Sequence, residues 1–338
     1  MQPFLRNCWY VAAWESEVAK GAPFARTICG DPVVMFRDEA GRAHALEDRC
    51  CHRNLPLTMG KVEGDNLRCG YHGLLFDTSG QCVEVPGQSQ IPPGARVRSY
   101  PCVERWGWVW IFPGDAARAE ATPLPDFSQH GSAGWAAVGG YLHVGGNHQL
   151  LVDNLLDLSH VSFVHRGSIG TDDSAAKLKL ERGPDWMRLT RNAGPMPPPP
   201  LYAAQGLRDP VNQNKVMRFS PGANIWIDID TVEARENGRS IFFTILNSIT
   251  PETATSCHYF FANARNFALD DAKLSALLHK GTHEAFGEDK LVLEAQQTII
   301  DLDPAAPQID IDADAGGLQA RRIVDRLLAE QNAAQAAE

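Results

Sequence analysis

Cys50-Cys51-His52-Arg53 is followed, with sixteen residues between His52 and Cys69, by Cys69-Gly70-Tyr71-His72-Gly73. Each of these knuckles offers one Cys and one His, spaced C-x-H and C-x-x-H. Thiolates suit soft iron–sulfur chemistry, and imidazole suits iron or zinc. A two-iron, two-sulfur cluster with two Cys on one iron and two His on the other is gripped by two loops that each present one ligand of each kind. A structural zinc site is the rival. Zinc fingers, however, pair like with like, C-x-x-C and then H-x-x-x-H, and have no need of mixed knuckles. Four soft ligands at two tight spacings rarely coincide by chance, so Cys50, His52, Cys69 and His72 are the predicted cluster ligands.

Outward from that stretch, the chain has room for two domains, each with its own core, in 338 residues. A net charge of −10 argues against a nucleic-acid partner and against an anionic membrane surface. No apolar run approaches about eighteen residues, and Met1-Gln2-Pro3-Phe4-Leu5-Arg6-Asn7 lacks the pattern of a signal peptide. The expected compartment is the cytoplasm. Of the eight cysteines, the six outside the ligand set have no regular spacing and are expected as reduced, buried thiols. No two glycines are separated by a single residue, so no G-x-G nucleotide fingerprint exists. With no flavin or nicotinamide site evident, electrons are expected from another protein.

Residues 1–115 read as short strands and turns. Trp9-Tyr10-Val11, Pro32-Val33-Val34-Met35-Phe36 and Trp108-Val109-Trp110-Ile111-Phe112 are β-branched and aromatic. Asp38-Glu39-Ala40-Gly41 and Asp77-Thr78-Ser79-Gly80 read as hairpin turns, and glycines 60, 64, 70 and 73 as turn formers. Residues 116–133 are rich in Ala, Pro, Asp and Gly and read as a linker, with Pro123-Leu124-Pro125-Asp126-Phe127 a stiff connector. Residues 134–338 form the second domain.

That domain opens on Asp153-Asn154-Leu155-Leu156-Asp157-Leu158-Ser159-His160, with His165 five residues on. Leu150, Leu151, Leu155, Leu158 and Val161 have the period of a buried helical face, and Asn154, Asp157 and His160 share another. His165 lies about 140° round a helix from His160. For both to bind one metal, the helix must bulge or end after Val161. Long strands are predicted at 177–180, 187–190, 224–230 and 241–246, with Ile225, Ile227 and Ile229 on one side. Pro195 to Pro200 reads as a rigid loop able to rim a pocket, and Thr250-Pro251-Glu252-Thr253 as a turn. His258 reads as a sheet histidine. Residues 270–300 form a long helix or helix pair bearing Glu284, Glu288 and Asp289, among which pattern alone does not choose. Asp312 to Gly317 reads as a loop before a last helix from Leu318 to about Gln331.

The knuckles resemble those of the Rieske non-haem iron oxygenases, and the resemblance runs from about residue 4 to 330. It is nearest to the vanillate O-demethylase and toluenesulfonate methyl-monooxygenase group. Arg6-Asn7-Cys8-Trp9-Tyr10-Val11-Ala12-Ala13, Val85-Pro86-Gly87-Gln88, Val152-Asp153-Asn154-Leu155-Leu156-Asp157 and Ala264-Arg265-Asn266-Phe267 support it. The resemblance implies an α+β chain: an N-terminal antiparallel β Rieske domain, then a helix-grip catalytic domain with a central antiparallel sheet. It implies one 2Fe-2S cluster, and one mononuclear Fe(II) on His160, His165 and, by match to Phe286-Gly287-Glu288-Asp289-Lys290, Asp289. Asn154 stands where many members carry an acid. Asp157 is expected to hold the outer N–H of a metal-bound imidazole and to bond a cluster histidine, His72, of a neighbouring subunit in a homotrimer. The implied function is the oxygenase component of a monooxygenase that hydroxylates or O-demethylates a methyl- or methoxy-substituted aromatic acid. Its NAD(P)H electrons come through a flavin and iron–sulfur reductase. A ring-dihydroxylating dioxygenase uses the same metals and is the alternative. A Rieske electron carrier and a zinc-stabilised binding module are disfavoured by the second metal motif and the mixed knuckles. Phe219, Trp226, Phe243 and Asn247 are the expected pocket residues.

Overall fold

The computed structural model describes residues 4–165 and 176–336. They divide into two compact units, the first comprising Phe4–Leu124 with Thr250–Thr253, the second Pro125–Ile249 and the chain from Ala254 onward. The exchange at Leu124 falls inside the stretch read as a linker. Neither side of it is loose. Thr122 accepts a hydrogen bond from Trp9 Nε1 at 2.8 Å, and Phe127, at 0% exposure, packs edge-on against Trp226. The connector reading of Phe127 fails because a large aromatic finds an apolar wall.

The first unit is all-β, built from three small antiparallel sheets. One contains β1 (Tyr10–Trp14), β10 (Cys102–Arg105) and β11 (Trp108–Ile111), with β11 in the middle. All four residues of β11 have 0% exposure, as their unbroken apolar run requires, and each such burial is worth about 1.5–3 kcal/mol. The second contains β2 (Phe24–Ile28), β3 (Asp31–Arg37), β4 (Ala43–Glu47) and β9 (Ser99–Tyr100). The third contains β5 (Lys61–Glu63), β6 (Asn66–Arg68), β7 (Leu75–Phe76) and β8 (Cys82–Glu84), and it carries the knuckles. Both predicted hairpin turns lie between paired strands.

The second unit is a seven-stranded sheet under helices. Its strands are β12 (Ala136–Val144), β13 (Lys177–Arg182), β14 (Met187–Met196), β15 (Val211–Ser220), β16 (Asn224–Glu233), β17 (Ser240–Thr253) and β18 (Ser256–Arg265). The order is β12-β18-β17-β16-β15-β14-β13. The helices are α1 (His148–Leu156), α2 (Val161–Val164), α3 (Pro200–Ala204), α4 (Ala272–Leu302) and α5 (Ala315–Ala336). Ile225, Ile227 and Ile229 share the inward face as their alternation predicts.

Several local expectations change. Residues 250–253 are not a turn: β17 runs through them, and the Pro251 and Glu252 carbonyls accept from the Cys29 and Gly30 N–H groups. Pro195 falls within β14, at the irregularity between Ala193 and Met196 where the β14–β15 register shifts, a place that tolerates a missing N–H. Pro200 opens α3, where its N–H is not needed. The 270–300 segment is one helix. Asp312–Asp314 is a single 3₁₀ turn leading directly into α5, so Gly316 and Gly317 are helical. A Cβ on Gly317 would meet Asp153 Oδ1 at 2.7 Å; these glycines admit α1, not a loop. Cys51 is exposed and Cys102 only half-buried, against the expectation of six buried thiols, and the eight cysteines are free. Among the described residues no helix is long and apolar enough to cross a membrane.

Candidate metal centres

The two knuckles are built alike. Cys50 N–H donates to the Leu55 carbonyl at 2.9 Å, and Cys69 N–H to that of Leu74 at 2.8 Å. In each, the residue four after the cysteine is left-handed: Asn54 at φ 60° and Gly73 at φ 75°. Asn and Gly are the residues that adopt this conformation most cheaply. Leu57, Leu67 and Leu74 pack around both sulfurs in one apolar cluster. Gly70 lies in a turn, as expected, and both Gly60 and Gly70, without positive φ, are also points of close approach. A Cβ on Gly60 would stand 1.9 Å from the Arg68 carbonyl, and one on Gly70 2.5 Å from that of Met59.

This backbone places the two thiols inside and the two imidazoles outside. Cys50 and Cys69 are 2% and 3% exposed, whereas His52 and His72 are exposed, their ring centroids 4.4 Å apart. Burial, opposed by the His52 backbone and reinforced by the Cys69 thiol, pushes Cys50 up to about 11. Cys50 therefore needs a metal to be a thiolate at neutral pH. Buried soft sulfur on one side and solvent-facing nitrogen on the other fit a mixed-ligand two-iron cluster. Sequence reading missed Arg68, which donates to the Gly73 carbonyl at 2.7 Å while paired with Glu63 and Glu84. A lone Arg at the end of a short strand gives no signal of this.

The second centre depends on a broken helix. The predicted single helix through Asp157 and His160 does not form: α1 ends at Leu156, and Asp157, at φ −120° and ψ 101°, is extended. The Asp157 carboxylate accepts from the Ser159 N–H at 2.8 Å and from Ser159 Oγ at 2.9 Å, capping one 3₁₀ turn, Leu158–His160. A short Asp side chain competes well for such N–H groups. A break therefore precedes the histidine pair, and α2 also ends after Val161, at Val164, with His165 as its C-cap. Asp157 touches His160 through its backbone carbonyl, 2.6 Å from Nδ1; the expected carboxylate–imidazole bond is replaced by this one.

His165 Nδ1 is 2.7 Å from Glu288 Oε2, across 123 residues of sequence. With both Nδ1–H groups donating outward, both Nε2 atoms face inward, where each offers a lone pair to a metal once its proton is lost. Asp289 Oδ1 lies 3.4 Å from His160 Nε2 and 3.2 Å from His165 Nε2, and Asn154 Nδ2 donates to the same oxygen at 3.1 Å. The three ligand atoms lie within 4.8 Å of one another. Two imidazoles and one carboxylate on one side suit non-haem Fe(II) with open positions. Burial pushes Asp289 up, but hydrogen bonds from His160 and His165 outweigh it and hold the carboxyl at about 2. Burial pulls His165 down, but the hydrogen bonds and charges of Asp289 and Glu288 overcome it and raise its pKa. Glu288 is thus adjacent to the three atoms without being one of them. Glu284, exposed and paired with Lys280, is elsewhere.

A cavity of about 410 Å³ adjoins these atoms. One side is sheet, with Gln213, Lys215, Ile227 and Ile229; the other is helical, with Leu158, Phe286 and the triad. Phe243 and Pro199 line it as expected. Phe219 lies in the core, Trp226 bonds the Asp126 carbonyl, and Asn247 is held by Tyr259 and by the Ile225 and Ile245 carbonyls. His258 is a sheet histidine, 2.9 Å from the Tyr141 hydroxyl.

Residues 8–101 match the Rieske [2Fe-2S] domain family, and residues 144–330 the vanillate O-demethylase oxygenase C-terminal domain family. The toluene-4-sulfonate monooxygenase system iron-sulfur subunit of Comamonas testosteroni is 41% identical, over 97% of this chain and 98% of its own. A vanillate O-demethylase oxygenase subunit of a Pseudomonas species is 35% identical, over 99% and 98%. The crystal structure of dicamba monooxygenase bound to dicamba superposes with a TM-score of 0.89 at 35% identity, covering 98% of this chain and 99% of that one.

Proposed function

We propose that this chain, which belongs to the Rieske non-haem iron oxygenases carrying a vanillate O-demethylase C-terminal domain, hydroxylates or O-demethylates a methyl- or methoxy-substituted aromatic acid. It is the oxygenase component of a Rieske monooxygenase, with a 2Fe-2S cluster and a mononuclear iron, and receives its electrons from a partner. We assign the cluster to Cys50, His52, Cys69 and His72, and the iron to His160, His165 and Asp289.

The observation that carries the reading is the convergence of two Nε2 atoms and one carboxylate oxygen within 4.8 Å at the wall of an apolar cavity. When bound, the metals supply two electrons and the dioxygen chemistry that turns a C–H bond into C–OH, the second oxygen leaving as water. The Asp157 carbonyl and Glu288 orient the two imidazoles, Asn154 fixes the Asp289 carboxylate, and the apolar walls exclude water. A hydroxylated methoxy carbon collapses to formaldehyde and a phenol. The partner is read as an NAD(P)H-dependent reductase with flavin and iron–sulfur groups, the compartment as the cytoplasm and the assembly as a homotrimer, in which Asp157 of one subunit lies beside His72 of the next.

Oxygen uptake with a surrogate reductase, over methoxybenzoates, toluenesulfonates and toluates, tests the function. Uptake matched by formaldehyde from a methoxy substrate is expected; none, in protein holding both metals, would sink it. A cis-dihydrodiol product would favour ring dihydroxylation. D157N separates the two roles of Asp157. Asn keeps the cap and the backbone carbonyl, so a purely local role leaves activity near wild type, whereas a bridging carboxylate makes this variant inactive with both metals retained.

A further inference from the structure

We infer that the cavity takes an extended aromatic acid, in which a second ring or a chain of like length separates the acid group from the methyl or methoxy carbon. The acid group stays in water, at a mouth formed by Ala204 and Leu277. This rests on the oxygenase function proposed above and narrows its substrate. The cavity has one buried end and one open end. Asp289 and His165, 3% and 2% exposed, mark the buried end. Among the described residues that line the walls, the exposed ones are Ala204, the last residue of α3, and Leu277 on α4, at 54%. Both ends are marked on α4, and the rise from Leu277 to Asp289 is about 18 Å. From its methyl carbon to its acid group, 4-methoxybenzoate spans about 7 Å at ordinary bond lengths. It therefore cannot present its methyl to the triad and keep its acid at the mouth.

Volume and wall chemistry agree with that length. A cavity of about 150 Å³ accommodates benzene, so one of about 410 Å³ has room for two rings. Leu201, Phe243 and Leu278 near the mouth, and Ile227 and Phe286 further in, give both rings apolar surface. Outside the triad, Lys215 is the one charged wall residue among those described, and it is buried and already engaged within the protein. A carboxylate drawn inside would give up its water without meeting an unengaged cation, and burying a charge in that way is costly. At the mouth it keeps its hydration while the rest of the molecule is buried. Long charged side chains do the same when they lay an apolar stem on protein and hold the head in water.

The test is turnover and binding in protein holding both metals, with a surrogate reductase. The probes are 4-methoxybenzoate, 4-methoxycinnamate and 4′-methoxybiphenyl-4-carboxylate, each beside its uncharged carboxamide. Formaldehyde release gives kcat/KM, and equilibrium dialysis gives Kd. Among the acids kcat/KM should rise in that order, by about tenfold or more overall, the scale of burying a second ring. The short amide should outperform the short acid, whereas the biphenyl pair should perform alike because its polar group lies in water. Leu277→Lys should raise, and Leu277→Glu lower, the preference for the biphenyl acid over its amide. The short pair should shift far less, its acid lying about a Debye length from the new charge. Cluster absorbance and iron content report integrity. A short acid turned over as well as the biphenyl acid, or preferred to its own amide, overturns the inference and leaves the oxygenase function standing. A biphenyl preference that ignores the charge at position 277 in folded protein does the same. Protein holding both metals that neither binds nor oxidises any of the probes overturns both.

Discussion

Around Cys50 and Cys69 the backbone positions the Cys and His side chains, whereas His160, His165 and Asp289 are positioned by other side chains. Each knuckle closes on itself through an N–H to a carbonyl five residues on, with one left-handed residue between. The triad has no such local closure. It relies on Asn154 reaching Asp289 and on Glu288 reaching His165, contacts spanning 135 and 123 residues. Local loops can form early and hold their shape cheaply. A site assembled from two distant segments exists only once the sheet and helices have packed. The comparison predicts that the two centres fail separately and by different routes.

The largest effects break one centre and spare the other. Asp289→Ala should abolish activity and lower iron from roughly three to roughly two per subunit while the cluster spectrum stays. Cys69→Ser should bleach that spectrum and leave the mononuclear iron. Loss of both metals in either variant, measured by iron analysis and visible absorption, would show that the centres are not independent. Next in size, Glu288→Gln weakens the acceptor behind His165 without touching the three converging atoms. Activity or iron affinity should fall about tenfold to a hundredfold, and an unaltered affinity would remove Glu288 from the site. Gly73→Ala probes the knuckle backbone. Its Cβ would stand 2.9 Å from Pro86 Cγ at positive φ, costing about 1–2 kcal/mol, whereas Asn54→Gly should be nearly neutral. Rates of cluster bleaching on warming separate the two variants, and equal rates would refute the backbone account.

The smallest effect concerns acid. Burial pushes His148, at the start of α1, down to about 4. Its ordinary pKa is 6.5, so the unfolded chain takes up the proton first. The stabilising contribution is full above 6.5 and lost as pH falls from there toward 4. His148→Gln should recover about 1–2 kcal/mol of stability at pH 5 relative to pH 7. Melting curves that keep the wild-type pH dependence in this variant would count against it.

Legibility in the sequence follows the same division. The two Cys-His knuckles were readable because all four residues fall within one short stretch at tight spacings. The antiparallel strands were readable because Trp108-Val109-Trp110-Ile111 and Ile225, Ile227 and Ile229 keep strand periodicity. The histidine pair was readable as a pair, but not the break at Asp157: helical period predicts continuation, and the carboxylate's competition for Ser159 overrides it. Among Glu284, Glu288 and Asp289 periodicity could not choose, since the choice depends on which helical face meets α1 and α2. The pocket was mostly missed. Apolar strand residues such as Phe219 are indistinguishable in sequence from cavity lining, and the polar interruption at Gln213 and Lys215 is visible only as a departure from the expected inward pattern.

One helix, α4, carries Asp289, Glu288 and a long strip of cavity wall that includes Leu278, Gly281, Thr282 and Ala285. Gly281 has ordinary helical dihedrals, and an added Cβ there would meet nothing within 4 Å. A glycine inside a helix costs about 1 kcal/mol relative to alanine. Folding gains nothing from it, so the empty space itself is what the position supplies. Substrate range can then drift along α4 by exchanging small side chains for larger ones a turn or two from the metal, each enlargement firming the helix as it narrows the chamber. An oxygenase built this way can change its diet without renegotiating its iron.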